Sequence, residues 1–271
     1  MKRFILSALA TAAMLVASSA YAGPFILSGT DGDDHGSVSA GVNQNGWEFM
    51  QKSLQLLAPG VTTANKKVTI LGSTSTALNA ATSAFNLSSL VGLGWTLEVV
   101  STANFATFFG AGGTLGTGIL MMDSGNNVSG GVDDSQFNPY SAAINNFLGA
   151  GGGLFSQANG YSWLGSLVPG LTVTTDSGSN LAVTAAGTTA FPGLTNADLS
   201  SGPWHNSFLN TGALQVFATS ADTGTSTFGR AVVIGGIGSI TNPGTVPEPG
   251  TLALLGVALA GAAVVSKRKT A

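Results

Sequence analysis

KVTILGSTSTALNAATSAFNLSSLVGLGWTLEVV, residues 67–100, holds the pattern that decides the fold. Lys67 to Leu71 is a short apolar run with β-branched residues, closed by Gly72, and reads as a buried strand. Leu78, Ala81 and Phe85 follow at the spacing of one helix face. Trp95 to Val100 then alternates and is again rich in β-branched residues, which predicts a second strand. Strand, helix, strand in that order is a crossover unit: the helix carries the chain back over the sheet, so the two strands run parallel.

The same rhythm extends on both sides. Pro24 to Ser28 predicts a strand that runs into the polar loop Gly29 to Gly36. Trp47, Met50, Leu54 and Leu57 mark an amphipathic helix, with Asn45 as its cap and Pro59-Gly60 as its stop. Gly118 to Met122 predicts a strand that ends in Asp123-Ser124-Gly125. Tyr140, Ile144, Phe147 and Leu148 mark a third helix, and Gly151-Gly152-Gly153 turns from it directly into Leu154-Phe155. Beyond it, Leu171 to Thr175, Leu181 to Thr184, Val216 to Thr219 and Ala231 to Ile234 have strand composition, with one helical turn at Tyr161 to Leu167. The alternation predicts a three-layer α/β body with a mostly parallel sheet. Leu27, Ile70, Val99, Leu120 and Leu154 are assigned to the sheet, and Trp47, Met50, Leu54, Phe85, Ile144 and Phe147 to the helices on its faces. The Thr-rich second half keeps an all-β adhesin open as the alternative.

This order of elements resembles the flavodoxin-like core of class I glutamine amidotransferase-like proteins, and within them the ThuA-like branch. The resemblance lies in Ser28 to Gly36, in Ile144 to Phe155, and in Phe191-Pro192-Gly193-Leu194 followed by Pro203-Trp204-His205-Asn206. It implies the fold but not the amidotransferase chemistry. That chemistry uses a Cys nucleophile, and this chain has no cysteine. The corresponding place reads Leu154-Phe155-Ser156-Gln157-Ala158, which is not the G-x-S-x-G elbow of serine hydrolases either.

Both ends carry address signals. Lys2 and Arg3, the apolar stretch Phe4 to Val16, and Ala20-Tyr21-Ala22 read as a signal peptide over residues 1–22, cut by signal peptidase before Gly23. At the other end, Val246-Pro247-Glu248-Pro249-Gly250 leads into the uncharged run Thr251 to Val265 and then Ser266-Lys267-Arg268-Lys269. The motif, apolar segment and basic cluster resemble the PEP-CTERM sorting signal, which implies processing by a membrane-embedded exosortase. As a helix, residues 251–265 reach roughly 22 Å at about 1.5 Å per residue. That is short of a hydrocarbon core of about 30 Å, so a span needs local thinning and snorkelling of Lys267 and Lys269. The basic cluster stays cytoplasmic and places the body outside. The expected organisation is a signal peptide over 1–22, a single body over 23–234, a linker over 235–245 and a sorting signal with its transmembrane segment over 246–271.

Between the signals, four cations (Lys52, Lys66, Lys67 and Arg230) face eleven acids, a net charge of −7. A surface that tracks phosphates needs clustered cations, so nucleic acid is excluded as a partner. With no cysteine, an exported chain depends on its core rather than on disulfides, and no thiol can act as nucleophile or metal ligand.

In open α/β sheets ligands bind at the carboxyl ends of the strands. Asp31, Asp33, Asp34 and His35 follow the first strand at that edge, and Asp123 follows another. The order Asp31-x-Asp33-x-His35-Gly36 is similar to the start of a calcium loop, although its twelfth position is Val42 rather than Glu. Asp31, Asp33, Asp34 and Asp123 are therefore the candidate ligands of a divalent cation such as calcium. The plainer reading is a solvated Asx-rich turn. The two histidines, His35 and His205, both sit among turn residues and are candidates for a base or a ligand across the strand ends. Ser156, after the glycine triplet, is the candidate nucleophile. Trp204 is read either as a platform for a sugar or as a turn anchor.

Two functions follow. One is a non-catalytic cell-surface or exopolysaccharide-matrix protein, membrane-bound through residues 251–265 until Pro247-Glu248-Pro249 is processed. The other is an exported enzyme or binding domain that acts on glycans through a metal-assisted Asp/His site. The enzyme reading requires His35, His205 and the acids to converge on one cleft.

Overall fold

The computed structural model describes residues 23–110, 116–123, 129–157, 160–167 and 170–237. The expected signal peptide, the sorting motif and the apolar run 251–265 lie outside the described residues. Among the described residues, no helix is long and apolar enough to cross a membrane.

The body is α/β, with a mixed sheet whose core is parallel. Strands β1 (Pro24–Ser28), β4 (Lys67–Leu71), β5 (Thr96–Val100), β6 (Ile119–Asp123) and β7 (Gly153–Gln157) form the parallel run, in the order β5-β4-β6-β7-β1. The strand composition explains that order. In β1, β6 and β7 every residue is buried, as interior strands covered on both faces require. β5 exposes Thr96 and Val99 and lies at the sheet edge, where Glu98 pairs with Lys67 of β4 at 3.1 Å.

Beyond β1 the sheet turns antiparallel. β12 (Ala231–Ile237) pairs with β1 from Pro24↔Ile237 to Ser28↔Val233. β10 (Ser207–Leu209), β8 (Thr172–Thr174), β11 (Gln215–Ser220) and β9 (Leu181–Val183) complete it. The flavodoxin-like expectation is corrected here. In that fold the first strand lies inside the parallel run, next to the strands that follow it. Here β1 closes the parallel run on its far side and takes the antiparallel β12 as its other neighbour. β12 also continues through Gly235 to Ile237, into the segment read as linker.

Two apolar layers cover the sheet. Helices α1 (Gly46–Leu57) and α2 (Ser75–Asn86) bring Phe49, Met50, Leu54, Ala81 and Phe85 against Ile26, Val68, Ile70, Met121 and Phe155. On the other face, α3 (Phe105–Gly110) and α4 (Ser141–Gly149) pack Phe105, Ile144, Phe147 and Leu148 against Leu27, Leu71, Leu120 and Leu154. Alternate residues of each strand serve opposite layers, as the strand period requires. Asn45 precedes α1 but gives no side-chain cap. Its φ is +58°, and it ends the second strand of the hairpin β2 (Gly36–Ser39) and β3 (Val42–Asn45), which the sequence reading did not resolve. The short helices α5 (Ala185–Ala190) and α6 (Asn196–Leu199), the latter with a Thr195–Asp198 capping box, lead the chain toward Trp204.

Candidate functional site

The loop after β1 is held down from two sides, by the start of α1 and by Ser201. Gly46 N–H donates to the carbonyl of His35 at 3.1 Å, and Trp47 Nε1 donates to the carbonyl of Asp33 at 2.7 Å. Ser201 Oγ donates to the carbonyl of His35 at 2.8 Å. The start of α1 approaches so closely that a Cβ on Gly46 would stand 2.2 Å from the carbonyl oxygen of Gly32. The loop is thus an ordered platform at the carboxyl ends of β1, β7 and β6.

On this platform, Asp31, Asp33 and Asp34 each offer a carboxylate oxygen within 4.8 Å of the others. Asp33 is fully buried; its Oδ1 accepts from Gln157 Nε2 at 3.3 Å, and its Oδ2 meets no amide or hydroxyl donor among the described residues. Gln157 ends β7, in register with Asp123 at the end of β6. Burial, then the charge of Asp123 and a hydrogen bond shared with it, then the charges of Asp31 and Asp34, push the Asp33 carboxyl up to about 10. Asp31 moves the other way. Burial works to raise it, but the His205 hydrogen bond, a hydrogen bond with Asp33 and the charges of both histidines outweigh that and hold it below the ordinary carboxylate value.

The histidines meet on Asp31. His205 Nε2 lies 3.3 Å from Asp31 Oδ2, and His35 Nε2 lies 3.9 Å from the same atom. His205 is placed by its backbone, whose N–H donates to the carbonyl of Gly29 at 2.7 Å. His35 leans on Gly202, where a Cβ would stand 2.1 Å from the ring. The free space against Asp31, His35, Ser201 and Gly202 is about 10 Å³, room for one water or ion and far too little for a sugar ring.

The structure therefore brings Asp31, Asp33, Asp34, His35 and His205 together, with Asp123 close enough to act on Asp33. Ser156 is separate in role: it is fully buried within β7, and its carbonyl accepts from Tyr161 Oη at 2.9 Å. Trp204 is fully buried, with Nε1 donating to Asp222 at 3.1 Å, so it is a turn anchor and not a sugar platform. Sequence reading missed Gln157. The strand-end rule that selected Asp123 on β6 applies equally to the polar residue that ends β7.

A model of the PEP-CTERM protein-sorting motif matches residues 245–269. The match covers the tail alone and supports an exported protein processed by an exosortase, with the membrane association that processing implies. No curated protein and no solved structure matches the chain, so the amidotransferase-like resemblance gains no support from known relatives.

Proposed function

We propose that this chain is an exported cell-surface or exopolysaccharide-matrix protein whose body holds a hard divalent cation among Asp31, Asp33, Asp34 and Asp123. The observation that carries the reading is the buried Asp33 carboxyl, which has Gln157 as its amide donor and otherwise the carboxyl groups of Asp31, Asp34 and Asp123 as neighbours. Carboxylates cannot satisfy one another; a proton or a cation must stand between them. An all-oxygen set without sulfur suits calcium, magnesium or manganese. A cation there ties the β1 loop to the β6 end and stiffens one edge of the body.

A melting curve of the exported chain in EDTA, then with each of the three ions, tests the reading. At a hundredfold excess over Kd a bound ion stabilises by about 2.7 kcal/mol, or roughly 5–10 °C for a body of this size. The Asp31→Ala, Asp33→Ala double variant is expected to gain nothing. Identical curves in all conditions would leave an ordinary polar turn. Mass spectrometry of the surface form tests sorting, since it should lack Lys267, Arg268 and Lys269.

The His205–Asp31 contact favours the second reading, metal-assisted chemistry on glycans. An imidazole oriented by a carboxylate beside a cation is the arrangement of a general base. The confined space at the site weighs against it, and turnover of soluble glycans that His205→Ala abolishes would reverse that judgement.

A further inference from the structure

We propose that the open groove between β10 and the β11–β12 turn binds a neutral polysaccharide chain, with Phe228 as its stacking surface. This deepens the matrix reading by giving the body a surface for its polymer, separate from the cation site. Phe228 is 59% exposed and is the only exposed aromatic side chain among the described residues. Its backbone is tied into the turn. Its N–H donates to the carbonyl of Thr225, Gly229 takes φ +79°, and Gly229 N–H and Arg230 C=O bond to the two sides of Ser220 at 2.9 and 2.8 Å. A turn whose backbone is already ordered loses less conformational entropy when a ligand covers it.

The shallow concavity beside it measures about 520 Å³ and is open to solvent, so a polymer reaches it without entering a closed pocket. Asn210, Thr211, Thr219 and Arg230 line it with amide, hydroxyl and guanidinium groups, the hydrogen-bonding partners of sugar hydroxyls. Asn210 Nδ2 donates to Thr172 Oγ1 at 3.4 Å. Apolar C–H faces and equatorial hydroxyls of a pyranose match an aromatic ring flanked by such groups. Charge selects the polymer class. The groove's cation, Arg230, is paired with Asp176, and the body carries a net −7, so an anionic polymer meets no free positive charge.

Affinity electrophoresis of the mature exported chain in gels containing dextran, laminarin or hydroxyethyl cellulose, with alginate as the anionic comparison, tests this. The chain should be retarded by at least one of the three neutral glucans and not by alginate. Phe228→Ala should weaken retardation about tenfold at an unchanged melting temperature, because the ring is exposed. Phe228→Trp should keep retardation and report binding by its fluorescence. No retardation in any of the three glucans, equal retardation in alginate, or retardation that survives Phe228→Ala overturns the inference. Fractionation of the chain with the cells' own matrix tests the matrix reading by itself. A chain found in the matrix but not retarded in the gels sinks only the groove.

Discussion

Replacing Asp222 by alanine should loosen the hinge on which His205 is carried. Asp222 Oδ1 accepts from Asn180 N at 3.0 Å and from Asn180 Nδ2 at 2.8 Å. Oδ2 accepts from Trp204 Nε1 at 3.1 Å and from Ser220 Oγ at 3.2 Å. The donors differ in what they lose. The Asn180 and Ser179 groups lie at the surface, and water replaces the carboxylate at little net cost. Trp204 is fully buried, and its indole N–H would be left without an acceptor. An orphaned buried donor costs about 1–3 kcal/mol, so the variant should lose about 1–3 kcal/mol, or about 2–12 °C in Tm. The effect should also depend on pH. Burial works to raise the Asp222 carboxyl, but the Asn180, Ser179 and Trp204 hydrogen bonds outweigh it, and the net shift is below 3.8. A carboxyl depressed in the folded state contributes stability above its unfolded value and loses it as the pH falls through the folded one. Thermal scans at neutral pH should therefore show the full gap between wild type and Asp222→Ala, and the gap should close as the pH drops below 3.8. Equal melting points at neutral pH, or a gap that persists undiminished in strong acid, would refute the role given to this carboxylate.

Tyr161→Phe should cost about 1–3 kcal/mol, measured by chemical denaturation, because Ser28 N–H donates to its buried hydroxyl at 2.9 Å and the hydroxyl faces the carbonyls of Ser28 and Ser156. Gly46→Ala places a methyl 2.2 Å from the Gly32 carbonyl, so it should destabilise by about 1–3 kcal/mol and weaken the cation-dependent rise in Tm along with it. Asp33→Asn should abolish that rise without lowering the cation-free Tm, since it removes an acid that has Gln157 as its donor and carboxylates elsewhere around it; a variant that still responds to the ion would place the site elsewhere.

The candidate site was partly legible before the fold. The acids of the β1 loop were found because a polar cluster right after an apolar strand marks the carboxyl edge of a sheet, and Asp123 was found the same way. Their common neighbourhood was not legible, because β1 and β6 meet only through β7 between them. His205 was visible as a turn residue, but its meeting with Asp31 depends on the backbone of Trp204 and His205 bonding to Gly178 and Gly29. Trp204 shows the limit most plainly. A Trp beside a His in a polar turn suits a surface platform equally well until the Asp222 acceptor is seen to bury it.

By itself the sequence determined the period of each element, and hence the alternation of strands and helices through Phe155, because side-chain periodicity is a local property of the chain. It also determined the C-terminal sorting address, since that motif is read as a linear peptide. Only the tertiary structure decided the strand order, the antiparallel second half and the company each acid keeps. Which strand lies beside which is settled by how two apolar layers close around one sheet, and no local stretch contains that choice.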